Sequence, residues 1–274
     1  MSHDLAARPG FVATELTFEV TRPATVVLQV AVAGDPASVE ERLEIRAGAT
    51  SLVPTVVEAP VGGRQHLVRA DVGVLTVRYD AVIPQAAARS GGVSTAERIE
   101  ALRPSRYCPS DRVLGLAARF ADLEPVTDRV RAMCDHVADR TVYTVGASGP
   151  STDGVDTLLS GAGVCRDYAH AMITLCRAVG VPARYAAVYA PGLSPMDLHA
   201  VVEVEIDGSW TVWDPTRLAP RPSLVRISTG RDAADTAFAT VLDGQVELRA
   251  MSVTAVAPGD LPTDEHAQVL RSTF

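Results

Sequence analysis

Asp207-Gly208 separates two segments that alternate apolar and polar residues, His199-Ala200-Val201-Val202-Glu203-Val204-Glu205-Ile206 and Ser209-Trp210-Thr211-Val212-Trp213-Asp214. An Asp-Gly pair between such segments is a strong signal for a two-residue β-hairpin, because that turn needs positive φ at both positions. Closing the hairpin between Ile206 and Ser209 fixes its register. Asp214 then lies opposite Val201, and His199 opposite Thr216. Opposed residues project from one face, so His199 and Asp214 become diagonal neighbours about 7–8 Å apart at the backbone and within side-chain reach. A slip of one residue would put them on opposite faces. A carboxylate beside an imidazole fixes its tautomer and orients it as a base.

The stretch before this hairpin supplies a nucleophile. Ala169, Met172, Ile173 and Cys176 recur at helical spacing and define a buried face. Gly180 ends the helix and Pro182 prevents its continuation. Its start follows Gly161-Ala162-Gly163-Val164, which places Cys165 in the first turn. Backbone N–H groups are unpaired there and the helix dipole is positive, so a thiolate, the nucleophilic form of cysteine, is favoured. Cys176 falls on the apolar stripe and reads as core. His170, five residues past Cys165, is off its face and reads as a surface or local structural histidine. A strand over Ala183–Tyr189 and a Pro/Gly-rich loop over Ala190–Leu198 lead into His199, so this loop should border the cleft. Cys165, His199 and Asp214 are the candidate catalytic residues.

Three further helices are expected upstream. One is capped by Ser110 or Asp111 and runs to about Ala121. A second spans Pro125 to Ala138 with Val126, Val130, Met133, Cys134 and Val137 on one side. A short third covers Asp153 to Leu159, capped by Ser151, Thr152 or Asp153. Residues 11 to 83 consist of short β-rich runs bounded by Gly and Pro, among them Ala24–Val32 and Gly73–Val82, and suggest a small antiparallel sandwich. No chemical constellation occurs there, and His66 reads as a surface residue. The small polar stretch from Ile83-Pro84 to about Ser94 has linker composition. Prolines keep Leu102–Asp111 irregular. The division expected is a β-sandwich domain over 1–90, a linker over 91–110 and a catalytic domain over 111–274. Val241 to Val256 reads as strands added after the core, capping its sheet or mediating self-association.

Charge and cysteine usage narrow the functional class. With 25 Lys and Arg against 33 Asp and Glu, the net charge of −8 gives no general attraction to nucleic acid or an anionic membrane. No apolar run is long enough to span a bilayer, and the first ten residues lack the basic and apolar regions of an export signal. Four cysteines, at 108, 134, 165 and 176, form no Cys-x-x-Cys pair. A reduced, cytoplasmic protein is therefore the expectation. A zinc site on Cys134, His136 and another cysteine lacks the usual ligand spacing, and neither a metal nor a cofactor is expected. Arg217, Arg221, Arg226 and Arg231 could meet an anionic substrate group but read better as solvated surface.

Gly163-Val164-Cys165-Arg166-Asp167-Tyr168-Ala169, Gly180-Val181-Pro182-Ala183-Arg184, His199-Ala200-Val201-Val202-Glu203-Val204 and Trp210-Thr211-Val212-Trp213-Asp214-Pro215-Thr216 together resemble the transglutaminase-like superfamily, relatives of papain-like cysteine proteases. The resemblance covers about Asp111 to Phe238, and the upstream β region is similar to one attached to bacterial members. It implies an α+β fold in which helices pack on an antiparallel sheet, preceded by the β sandwich. It also implies roles: Cys165 as nucleophile, His199 as general base and then acid, Asp214 as orienting carboxylate. The chemistry implied is hydrolysis of a peptide, protein or small-molecule amide through a thioester. Acyl transfer to an amine and a catalytically silent interaction scaffold are the alternatives. Animal members use an upstream tryptophan to stabilise the oxyanion, whereas Trp210 and Trp213 lie downstream here and read as core or cleft wall. Tyr143 is a candidate replacement, with a packed strand tyrosine as the competing reading. Arg166, Asp167 and Arg184 read as packing or salt-bridge supports.

Overall fold

The computed structural model describes residues 10–34, 36, 39–58, 62–83, 92–266 and 268–272. The N-terminal stretch read for an export signal, and residues 84–91 of the linker composition, lie outside the described residues.

Alternating apolar residues in the N-terminal part form strands β1 (Gly10–Leu28), β2 (Glu40–Ala47), β3 (Thr50–Leu52), β4 (Thr55–Glu58), β5 (Arg64–Ala70) and β6 (Gly73–Ile83). They join one antiparallel sheet in the order β3-β2-β6-β1-β5-β4. β1 changes partner along its length: Gly10–Val20 pair with β6, and Ala24–Leu28 pair with β5. The change falls at the exposed Thr21-Arg22-Pro23, where proline cannot donate to a ladder. The sheet therefore curls, and side chains from both halves, such as Val12, Leu16, Val26 and Leu28, enter one apolar core.

Helices α1 (Thr95–Glu100), α2 (Leu114–Ala121), α3 (Val126–Arg140), α4 (Gly154–Ser160) and α5 (Cys165–Ala178) follow, with short strands β7 (Val142–Tyr143) and β8 (Ala162–Gly163) between them. The expected linker thus contains α1, whose start is closed by a reciprocal Ser94–Glu97 capping box. Strands β9 (Ala183–Tyr189), β10 (Leu198–Ile206), β11 (Ser209–Trp213), β12 (Val225–Gly230), β13 (Ala239–Val256) and β14 (Leu270–Arg271) complete the chain. A second antiparallel sheet runs β12-β9-β10-β11-β14. The β10–β11 turn has positive φ at both Asp207 and Gly208, and Ile206 pairs with Ser209 as the Asp-Gly signal requires.

α5 lies between this sheet and the other helices, and one core joins it to α3, α4, β9 and β10. It is buried all round from Asp167 to Arg177. Of the two readings of His170, surface or local structural, the surface one is corrected and the structural one holds: groups distant in sequence enclose it. His170 is sandwiched between the Tyr107 and Tyr185 rings, and its Nε2 accepts from the Ala233 N–H at 3.1 Å. Burial drives its pKa down to about 3, so it is a neutral structural group. His66 is likewise buried, contrary to the surface reading.

Two features tie the sheets together. β13, which sequence order assigned to the 111–274 unit, pairs along β1 from Phe11 to Leu28. The N-terminal sheet is thus built from both ends of the chain, a long-range pairing that local patterning does not carry. The Tyr189 hydroxyl, from β9, accepts from Thr14 Oγ1 at 2.8 Å and donates to the Val30 carbonyl at 2.7 Å. Strand β9 pairs with β10, the strand that carries His199, so this anchor braces the site from behind.

Candidate active site

Three elements converge on the cleft. Cys165 is the first residue of α5 and the one partly exposed cysteine of the four, the other three being buried. Asp167 shapes this helix start. Its buried carboxylate accepts from the Val164 N–H at 2.8 Å, from the Ser148 hydroxyl and from Arg166 at 2.9 Å. A Cβ at Gly163 would lie 2.6 Å from the Asp167 Cβ, which is why the turn before Cys165 carries glycine. Arg166 also donates to the Gly149 carbonyl at 2.9 Å, tying the loop after β7 to the helix. Arg166 and Asp167 are the supports the sequence suggested.

His199 enters from β10 and Asp214 from the residue after β11. The hairpin register holds, and His199 Nε2 lies 2.9 Å from Asp214 Oδ2 with both side chains buried. The other carboxylate oxygen, Oδ1, accepts from the Thr216 N–H at 2.9 Å and its hydroxyl at 2.7 Å. Asp214 thus has a fully engaged carboxylate. Burial opposes its ionisation, but the His199 charge and the His199 and Thr216 hydrogen bonds outweigh that and hold its pKa below the usual range. Burial also opposes charge on His199. Asp214, by charge and hydrogen bond, and then Cys165 overcome it and raise the imidazole to about 10. Nδ1 has no strict hydrogen-bond partner. With Nε2 engaged by Asp214, Nδ1 is the nitrogen free to serve the neighbouring thiol.

Two tyrosines lie near Cys165. Tyr143, on β7, pairs with Gly163 of β8, two residues before Cys165, which sets its side chain near the thiol. Burial first, and then the Cys165 charge, push its pKa up to about 12, so it stays a hydrogen-bond donor at neutral pH. Tyr185, on β9, is buried close enough to Cys165 to feel its charge. Sequence reasoning did not pick out Tyr185, which sits among apolar residues of its strand after Arg184. Thr216 was legible as the residue opposite His199, though its bond to Asp214 was not.

The remaining candidates are engaged elsewhere. Arg221 is buried against Asp264, and its guanidinium also donates to the Val212 carbonyl. Arg226 and Arg184 share the buried Glu203. Arg231 pairs with Asp235, and Arg217 with Asp135. Arg221 and Arg226 thus depart from the solvated-surface reading, because the carboxylates that bury them lie far away in sequence. Trp213 is core, and Trp210 stacks under Arg184. Cys108, Cys134 and Cys176 are buried thiols. Among the described residues no group of three or more His, Cys, Asp or Glu is placed to hold a metal ion.

A model of the transglutaminase-like superfamily matches residues 114–215, the span that holds Cys165, His199 and Asp214. The crystal structure of a candidate cysteine protease from Cytophaga hutchinsonii superposes with a TM-score of 0.81 at 30% identity, covering 94% of this chain and 92% of that one. This chain belongs to the transglutaminase-like superfamily. An uncharacterised Mycobacterium leprae protein is 29% identical over 151 residues, a match spanning 50% of this chain and 53% of that relative. The periplasmic domain of TgpA from Pseudomonas aeruginosa aligns over 80% of this chain and 92% of that one at 21% identity, with a TM-score of 0.43. The transglutaminase-like fold expected from the sequence is the fold observed: helices on an antiparallel sheet with a β region attached.

Proposed function

We propose that this chain is a cysteine hydrolase that cleaves an amide bond through a thioester on Cys165. The observation that carries this reading is the buried His199–Asp214 pair, 2.9 Å apart, whose free imidazole nitrogen serves the thiol at the start of α5. Cys165 Sγ attacks the amide carbonyl, and charge develops on its oxygen. The Cys165 backbone N–H, which as the first amide of the helix has no intrahelical acceptor, and the Tyr143 hydroxyl supply the oxyanion donors. A protonated His199 gives its proton to the leaving amine as the C–N bond breaks. Neutral His199 then takes a proton from water, which attacks the thioester, and the C–S bond breaks to release acid and thiol. Asp214 stays ionised throughout, holding the imidazole's orientation and favouring its charged form. The partial exposure of Cys165 supports water as the acceptor, since a thioester there is open to solvent.

Alkylation tests the reading. Iodoacetamide at mildly acidic pH should modify Cys165 stoichiometrically, with His199→Ala slowing the reaction. Equal, slow modification of both proteins would mean an inert thiol and would favour the scaffold alternative.

A further inference from the structure

Strand β13 leaves a long edge of the N-terminal sheet open. Among the described residues its only strand partner is β1, so the backbone groups along its other edge meet no strand. Such an edge is a template for pairing with another chain. The strands at the two ends of the sheet path, β3 and β4, have only three and four residues, and short edges are poor templates. β13 has 18 residues. Its first part is protected, because Glu247 and Arg249 place charge on it and its register with β1 shifts repeatedly. From Ala250 to Val256 that protection is missing. The pairing with Phe11–Thr17 runs without a break, and Ala250-Met251-Ser252-Val253-Thr254-Ala255-Val256 contains no charge, glycine or proline. Met251, Val253 and Ala255 lie opposite the buried Leu16, Thr14 and Val12, on the core side of the sheet. Val253 and Ala255 are buried, yet Met251 is 36% exposed beside a fully covered Leu16. The core face is therefore incompletely covered where β13 ends the sheet.

We propose that two copies of this chain join edge to edge through Ala250–Val256, antiparallel about a twofold axis at Val253. In the one register that pairs the whole segment with itself, Val253 meets its copy, Met251 meets Ala255, Ser252 meets Thr254 and Ala250 meets Val256. Large side chains fall opposite small ones and hydroxyl opposite hydroxyl, so the segment is its own complement. Met251 then packs beside the partner's Ala255 on the core side. The lack of charge matters, because each copy carries a net −8 and two copies approach with least repulsion through a neutral stretch. The twofold contact uses the same edge on both copies and closes, giving a dimer and not a fibre. The pairing does not depend on the chemistry at Cys165.

Sedimentation equilibrium of the full chain across the micromolar range should show a dimer. Ser252 and Thr254 are exposed, so both can be changed without disturbing the core. Ser252→Lys/Thr254→Lys sets like charges opposite one another at both positions and should raise the dissociation constant at least about tenfold, with the Tm retained. Mixing this protein with Ser252→Glu/Thr254→Glu should recover a dimer from the two. The register is read by disulfide formation. Ser252→Cys and Thr254→Cys, each combined with Cys165→Ala, should cross-link to one another under mild oxidation far more than either does alone. A monomer at every concentration, a dimer that the lysine substitutions leave intact, or cross-linking of Ser252→Cys chiefly with itself would overturn the proposal.

Discussion

Replacing Asp214 with Asn keeps the side chain's size but removes the charge that His199 depends on. The Asn oxygen can face only one set of donors. If it keeps the Thr216 N–H and hydroxyl, its NH2 meets His199 Nε2; if it turns to His199, the NH2 meets the Thr216 donors. A hydrogen bond to a charged group contributes about 1.5–3 kcal/mol, equivalent to about 1–2 pH units at 1.36 kcal/mol per unit. Losing it, together with the attraction of the charge, leaves burial the dominant influence on an imidazole now raised to about 10. The His199 titration should therefore drop by at least 1–2 units, by about that arithmetic. Because the folded value lies above the unfolded 6.5, the stabilisation is complete below pH 6.5 and is lost as pH rises through about 10. Wild type should thus lose on the order of a few kcal/mol across that window, and Asp214→Asn much less. NMR titration of 15N-histidine protein, with His199 assigned by substitution among the six histidines, and urea unfolding at pH 6, 8 and 10 read both effects. A wild-type His199 that titrates near 6.5, or identical titrations in the two proteins, would mean that Asp214 does not hold the imidazole charged.

Three substitutions test the surrounding structure. Tyr143→Phe removes the candidate oxyanion hydroxyl from a half-exposed side chain, so acylation should slow about 10²–10³-fold while urea stability holds; an unchanged acylation rate would remove Tyr143 from the oxyanion site. Asp167→Ala leaves the Val164 N–H and Arg166 without their buried acceptor and should cost about 2–4 kcal/mol in urea unfolding; a loss under about 0.5 kcal/mol would mean Asp167 does not hold the helix start. Tyr189→Phe breaks the hydroxyl bridge to Thr14 and Val30 and should cost about 1–3 kcal/mol, visible as a lower Tm, with little effect on the intrinsic alkylation of Cys165.

The catalytic half of the fold was legible because its signals are local. Asp207-Gly208 sets a hairpin register, and the apolar stripe of α5 together with Gly180 and Pro182 delimits a helix. Those signals alone put His199 and Asp214 on one face and Cys165 at a helix start. What stayed hidden depends on residues distant in sequence. The pairing of β13 with β1 joins residues more than 200 positions apart. The burial of His170 comes from Tyr107, Tyr185 and the Ala233 loop, 63, 15 and 63 residues away in sequence. Arg221 and Arg226 looked like solvent-exposed charges because Asp264 and Glu203, which neutralise them, are 43 and 23 residues away. Tyr143 was weighed against a packing role on sequence grounds. Only the parallel β7–β8 pairing, which sets Tyr143 beside Gly163 just ahead of Cys165, brings it near the thiol.

In the proposed mechanism Cys165 carries an acyl group during turnover. Incubation with an activated amide or ester library, rapid acid quench and peptide mass spectrometry measure this directly. One acyl adduct per chain is expected on the peptide containing Cys165, absent in Cys165→Ala and accumulating more slowly in His199→Ala. Product formation with no adduct on Cys165, or turnover retained by Cys165→Ala, would contradict it.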